Sequence, residues 1–146
     1  MDDYRNIVVG VDFSQNSRAA AKRAAALAGR SGATLTLLHI VEHFPEDIPV
    51  NPIPPENVDP ATFYMERAKE QLAELALEFE QQSIEQEVVL SSQSANHEIL
   101  EWALQRPVDL LVVGAHDRET KAPLGSTAMA VSNRAPCDVL IVHGEK

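Results

Sequence analysis

Two stretches of the chain carry the residue types that a ligand-binding crevice needs. Asp12 follows the apolar run Ile7-Val8-Val9-Gly10-Val11, and its carboxylate can accept hydrogen bonds from a ribose or an amino group. Far along the chain, Val108-Asp109-Leu110-Leu111-Val112-Val113 leads into Gly114-Ala115-His116-Asp117. Gly125-Ser126 then opens a helical stretch eight residues past Asp117. A buried strand, a glycine turn and a Gly-Ser helix start form a seat for an anion. Backbone N–H groups and the positive end of the helix dipole aim at one spot. Taken singly, these residues have blander readings: Asp12 helps to cap the first helix, and Ser126 and Thr127 cap the last one.

The remaining reactive side chains read as structural. His39, in Leu37-Leu38-His39-Ile40-Val41, is a satisfied core residue, while His43, His97 and His143 stand singly near element ends without ligand spacing. His116 lies in the glycine turn, where it can donate to a ligand but has no evident acid–base partner. No metal site is expected. Cys137, the single cysteine, reads as a structural thiol, and its solitude fits a reducing compartment. The dinucleotide, P-loop and nucleophile-elbow glycine motifs are all missing. Leu90-Ser91-Ser92-Gln93 has no aspartate to accept a phosphoryl group.

Five apolar runs position these residues. Asn6 to Val11, Thr34 to Val41, Gln86 to Leu90, Val108 to Val113 and Asp138 to His143 read as strands, several of them apolar enough to be buried on both faces. Four helices alternate with them. The first runs from Gln15 to Arg30 behind the N-cap Ser14, with Gly29 and Gly32 as stop signals. The second spans Ala61 to Gln82 and the third Asn96 to Gln105. The fourth starts at Gly125-Ser126 and ends before Pro136. Alternation of this kind calls for an open parallel sheet with helices on both faces, three layers in all. From 44 to 60 the chain holds six of its nine prolines. That stretch reads as an extended excursion, neither helix nor central strand, serving as a lid, a partner contact or a plain connection.

The chain has 146 residues, of which 45% are hydrophobic, and a formal charge of −10. One domain spanning 1–146 with one core is expected. So strong an acidic balance argues against nucleic acid and anionic membranes as partners. The amino terminus lacks an apolar signal core and no run is long enough to span a bilayer, so a cytoplasmic protein is expected.

The chain resembles the universal stress protein family along essentially its whole length. Four motifs carry the resemblance in order: Val-Asp-Phe-Ser-x-x-Ser from Val11, Leu-Leu-His-Ile-Val from Leu37, Val-Val-Gly-Ala-His from Val112, and Gly-Ser…Ala-Pro-Cys-Asp-Val-Leu-Ile-Val from Gly125. The resemblance implies a Rossmann-like sheet of order 3-2-1-4-5, with Asp12 and the Gly114 turn facing one crevice where the strand order reverses. In nucleotide-binding members the turn is similar to Gly-x-x-Gly, nine residues, then Gly-Ser or Gly-Thr. Matched to that pattern, Gly114 takes the first glycine and Gly125-Ser126 the last pair, with His116 and Thr127 alongside. Asp12 would approach the adenosine, and Ile40, Val41 and Val113 would flank the base.

Three departures stand out. Asp117 replaces the second glycine, only seven residues (Arg118 to Leu124) separate it from Gly125, and Gln93 stands where many relatives carry a glycine. Two like charges about 4 Å apart cost roughly 1 kcal/mol in water and more when partly buried. The loop Asp117-Arg118-Glu119-Thr120-Lys121 has no net charge to offset that repulsion. The shortened turn resembles the branch of the family regarded as not binding ATP. Two functions are therefore weighed. The first is a non-enzymatic stress-response regulator with weak or no ATP binding, working through unknown regulatory protein partners. The second is a sensor that binds ATP or AMP, with ATP and Mg²⁺ as its candidate cofactor. Family members pair the last strand across a two-fold axis, which implies a homodimer through Val139, Leu140, Ile141 and Val142.

Overall fold

The computed structural model describes residues 3–42, 53–79, 83–116 and 124–144. Strands and helices alternate along it: β1 (Asn6–Gly10), α1 (Gln15–Ser31), β2 (Thr34–Glu42), α2 (Pro60–Ala76), β3 (Ile84–Ser91), α3 (Ala95–Gln105), β4 (Leu110–Gly114), α4 (Ser126–Arg134) and β5 (Asp138–Val142). The five strands are all parallel and lie in the order β3-β2-β1-β4-β5. The expected Rossmann-like α/β architecture is therefore the one observed.

Period-two alternation divides the strand side chains between two cores. Val9, Leu35, Leu37 and Val112 pack with the alanine face of α1 and with Leu72 and Leu75 of α2. On the other face Val8, Leu38, Ile40, Leu111 and Val113 meet Ile99 and Ala103 of α3 and Ala128 and Val131 of α4. Small alanines along α1 (Ala20, Ala21, Ala24, Ala28) are buried to 5% exposure or less, so this helix lies close on the sheet.

Local chemistry sets the element ends, and several differ from the sequence reading. Gly29 stays inside α1. The helix stops only at Gly32, whose φ of 70° suits a residue without a Cβ. Pro60 belongs to α2 and not to the excursion. Asp59 caps the helix by accepting from the Thr62 N–H at 3.1 Å, and proline fits the first helical position because its missing N–H is not needed there. The helix ends at Ala76, with a 3-10 turn over Leu77–Phe79. Of the proline-rich stretch, 44–52 lies outside the described residues, and 55–58 forms a turn closed by the Val58 N–H on the Pro55 carbonyl. Strand β1 ends at Gly10, one residue early, and β3 begins two residues earlier than its apolar run. Among the described residues no helix is long and apolar enough to cross a membrane.

Candidate functional site

Strands β1 and β4 are neighbours, and their chains leave toward opposite faces of the sheet. At their carboxyl ends a crevice of about 260 Å³ opens, just below the ~300–1,000 Å³ usual for small-ligand pockets. Gly10, Val11 and Asp12 line it from the end of β1, Leu38, Ile40 and Glu42 from β2, and Val113, Gly114 and His116 from β4. Ala95 and Ile99 of α3, Thr127 of α4 and Ser17 of α1 close it. The floor is apolar, and the rim carries two carboxylates, two hydroxyls and an imidazole.

Asp12 sits in a tight turn leading into α1. Its Oδ1 accepts from the Ser14 N–H at 2.9 Å, and its own N–H donates to Ser17 Oγ at 3.2 Å. The cap itself is Ser14, whose Oγ accepts from the Ser17 N–H. Asp12 thus braces the helix start and also lines the crevice. The next residue, Phe13, has a φ of 66°, which costs a β-carbon-bearing residue about 1–2 kcal/mol. Its ring packs on His39, with centroids 4.6 Å apart. His39 in turn donates from Nδ1 to the Val11 carbonyl at 2.6 Å. Burial holds this imidazole below its ordinary pKa, against smaller upward pulls from the Val11 carbonyl and Asp12. The expectation of a satisfied core histidine is met.

Sequence-predicted residues divide sharply. Asp12, Ile40, Val113, Gly114, His116 and Thr127 all line the crevice. Val41 does not, because successive strand residues face opposite sides and Ile40 has the crevice side. Gly125 and Ser126 are also absent from the lining. The Gly125 N–H donates to the Ala115 carbonyl at 2.7 Å, while the Ala115 N–H donates to the Val142 carbonyl at 2.8 Å. One presumed phosphate donor is therefore already engaged. Nor do Ser126 and Thr127 take the cap position of α4: the N-cap residue is Gly125, which makes no side-chain cap hydrogen bond. Asp117, Arg118 and Lys121 lie outside the described residues.

Gly114 has a role that the phosphate pattern does not explain. A Cβ there would come within 2.9 Å of the Asn16 carbonyl carbon and 3.0 Å of its oxygen. The first turn of α1 rests directly on the end of β4. Asn16 Oδ1 also accepts from the Gly144 N–H at 2.7 Å, tying the chain after β5 to the same helix start. Glu42 and Gly10 are lining residues that sequence reasoning missed. The alternation Leu38, Ile40, Glu42 along β2 was the signal for Glu42. Away from the crevice, Cys137 is half-buried, and burial, then the nearby Asp138 and Asp109 carboxylates, push its thiol pKa up. Among the described residues no three His, Cys, Asp or Glu side chains gather as a metal would require.

A doubly wound sheet with an apolar-floored, polar-rimmed crevice at its switch point defines a class of proteins that seat small ligands, nucleotides among them. Residues 3–143 match the universal stress protein family. The chain is 35% identical to universal stress protein A homolog 2 of Coxiella burnetii, covering 98% of this chain and 97% of that one. Homolog 1 of the same organism is 33% identical over 95% and 96% of the two chains. The fold is also similar to that of a universal stress protein solved in complex with cAMP. That comparison has a TM-score of 0.74 and 27% identity, covering 97% of this chain and 98% of the other. The chain belongs to the universal stress protein family.

Proposed function

We propose that this chain is a non-enzymatic stress-response regulator whose crevice takes an adenine nucleotide of low charge, and which works as a homodimer paired through β5. The observation that carries the reading is the crevice itself. Ile40 and Val113 offer apolar walls to a base, and Asp12 and Thr127 offer polar partners to a sugar. The cAMP complex of the similar protein supports an adenine ligand. Weak affinity for ATP is supported by the engagement of the Gly125 N–H with Ala115, which removes a donor that a phosphate chain would use. The non-enzymatic reading is supported by His39. Its Nδ1–H is committed to Val11, and the ring is not among the crevice-lining groups.

Calorimetric titration of the purified protein with AMP, cyclic AMP and ATP tests this. Saturable binding of the first two below millimolar concentration is expected. Thr127→Phe, which fills the crevice from its rim, should abolish that binding with the melting temperature little changed. No saturable binding of any adenine nucleotide up to millimolar concentration overturns the reading.

A further inference from the structure

Glu42 ends β2 on the crevice side of the sheet, directly after the floor residues Leu38 and Ile40. It is exposed, and no cation among the described residues pairs with it. Its register neighbour on β3 is Ser91. That hydroxyl donates to Glu98 at 2.8 Å and accepts from the Gln93 N–H at 2.8 Å, so it does not hold the Glu42 carboxylate aside. On the β1 side of the crevice stands Asp12, with Oδ1 occupied by Ser14. Among the described residues, no lysine or arginine lines the crevice. The sequence from 117 to 123, Asp-Arg-Glu-Thr-Lys-Ala-Pro, holds two cations and two anions and lies outside the described residues.

We propose that Glu42 is a specificity-determining residue that selects neutral nucleosides and singly charged nucleotides over polyphosphates. An ionised carboxylate only accepts hydrogen bonds. Two of them at one rim therefore suit a ligand rich in donors, such as the hydroxyls of a ribose or the amino group of adenine. The same pair repels a chain of phosphates in proportion to its charge, and the crevice's low-dielectric floor weakens the screening of that repulsion. The inference rests on the nucleotide reading of the crevice and adds the residue that sets the ligand's charge class.

The test compares wild type with Glu42→Gln, a near-isosteric change at an exposed position, against adenosine, AMP and ATP in Mg²⁺-free buffer of low ionic strength. Wild type should bind adenosine about tenfold more tightly than ATP. Glu42→Gln should tighten ATP about fivefold and leave adenosine within about twofold, and raising the salt should narrow the wild-type gap. Tighter binding of ATP than of adenosine by wild type overturns the inference, as does an equal effect of Glu42→Gln on both ligands. In those outcomes the crevice still binds nucleosides and only the charge argument fails. If none of the three ligands binds, the nucleotide reading falls and the inference with it.

Discussion

Gly114 shows how one residue type can satisfy two different patterns. By spacing it matched the first glycine of a phosphate turn, yet its neighbour in space is the backbone of Asn16, 98 positions earlier in sequence. A missing Cβ is needed there so that α1 can rest on β4. Gly10 is the useful contrast, since a Cβ there would meet side-chain ends alone, Ile99 Cδ1 at 3.3 Å, which is able to shift, and Val113 Cγ1 at an ordinary 3.6 Å. Gly114→Ala should therefore cost about 1–3 kcal/mol through forced backbone movement, or roughly 3–10 °C in melting temperature. Gly10→Ala should cost less than about 1 kcal/mol. Thermal melts of the two variants side by side decide the point, and an equal loss in both would remove the packing account of Gly114. No local sequence pattern reveals such a contact, because the clash is made by a helix that only tertiary folding brings near. Asp12 was legible for the opposite reason. An acidic residue just past a buried first strand sits at that strand's carboxyl end, which in the order 3-2-1-4-5 is the switch point.

At the scale of elements, the turn from β1 to α1 is held by three linked features: Phe13 at positive φ, its ring on His39, and the His39 Nδ1–H on the Val11 carbonyl. The strained Phe13 backbone persists because packing of the two half-buried rings and the hydrogen bond over-determine it. The buried imidazole makes this turn sensitive to acid. Its pKa is lowered in the folded chain, chiefly by burial, so as pH falls through the ordinary histidine value of about 6.5 the unfolded chain gains a proton that the folded chain does not. Stability contributed by neutral His39 is therefore present above that pH and is lost progressively below it, down to the folded value. Melting temperature should fall between pH 7.5 and 5.5 in wild type, and fall less in His39→Gln, which keeps an N–H to offer Val11. Equal slopes in the two proteins would show that His39 does not carry the effect. The strands themselves were readable because continuous apolar runs mark a sheet covered on both faces. The ends of the elements were not, because the strand ends Gly10 and Ile84 and the helix start Pro60 are decided by register and capping and not by hydropathy. Glu42 escaped notice for a related reason. A charged strand-end residue reads as solvated until its alternation with Leu38 and Ile40 is placed over a crevice.

The whole molecule presents two unequal sheet edges. At one, β3 exposes Glu85, Gln86 and Glu87, and such charge discourages edge-to-edge pairing. At the other, β5 carries Val139, Leu140 and Ile141 half-buried and Val142 buried, with only Asp138 exposed. The apolar edge is thus the one suited to a second copy of the chain. Each copy carries a formal charge of −10, so association must overcome mutual repulsion, which salt screens over about 10 Å at 0.1 M. Two consequences separate a β5-paired dimer from a monomer with an untidy edge. First, sedimentation equilibrium at micromolar concentration should give twice the chain mass, with a dissociation constant that falls as salt is raised. Second, Val139 and Ile141 pack from β5 toward the α3–α4 face, so Ile141→Asp should place a carboxylate at the seam and weaken the dimer about a hundredfold, the effect of losing a central interface residue. A charge placed on β3, as in Gln86→Lys, should leave the association unchanged. Monomeric wild type at 100-fold higher concentration, or a dimer indifferent to Ile141→Asp and broken by Gln86→Lys, would assign β5 a different role and move the interface to the opposite edge or away from the sheet altogether.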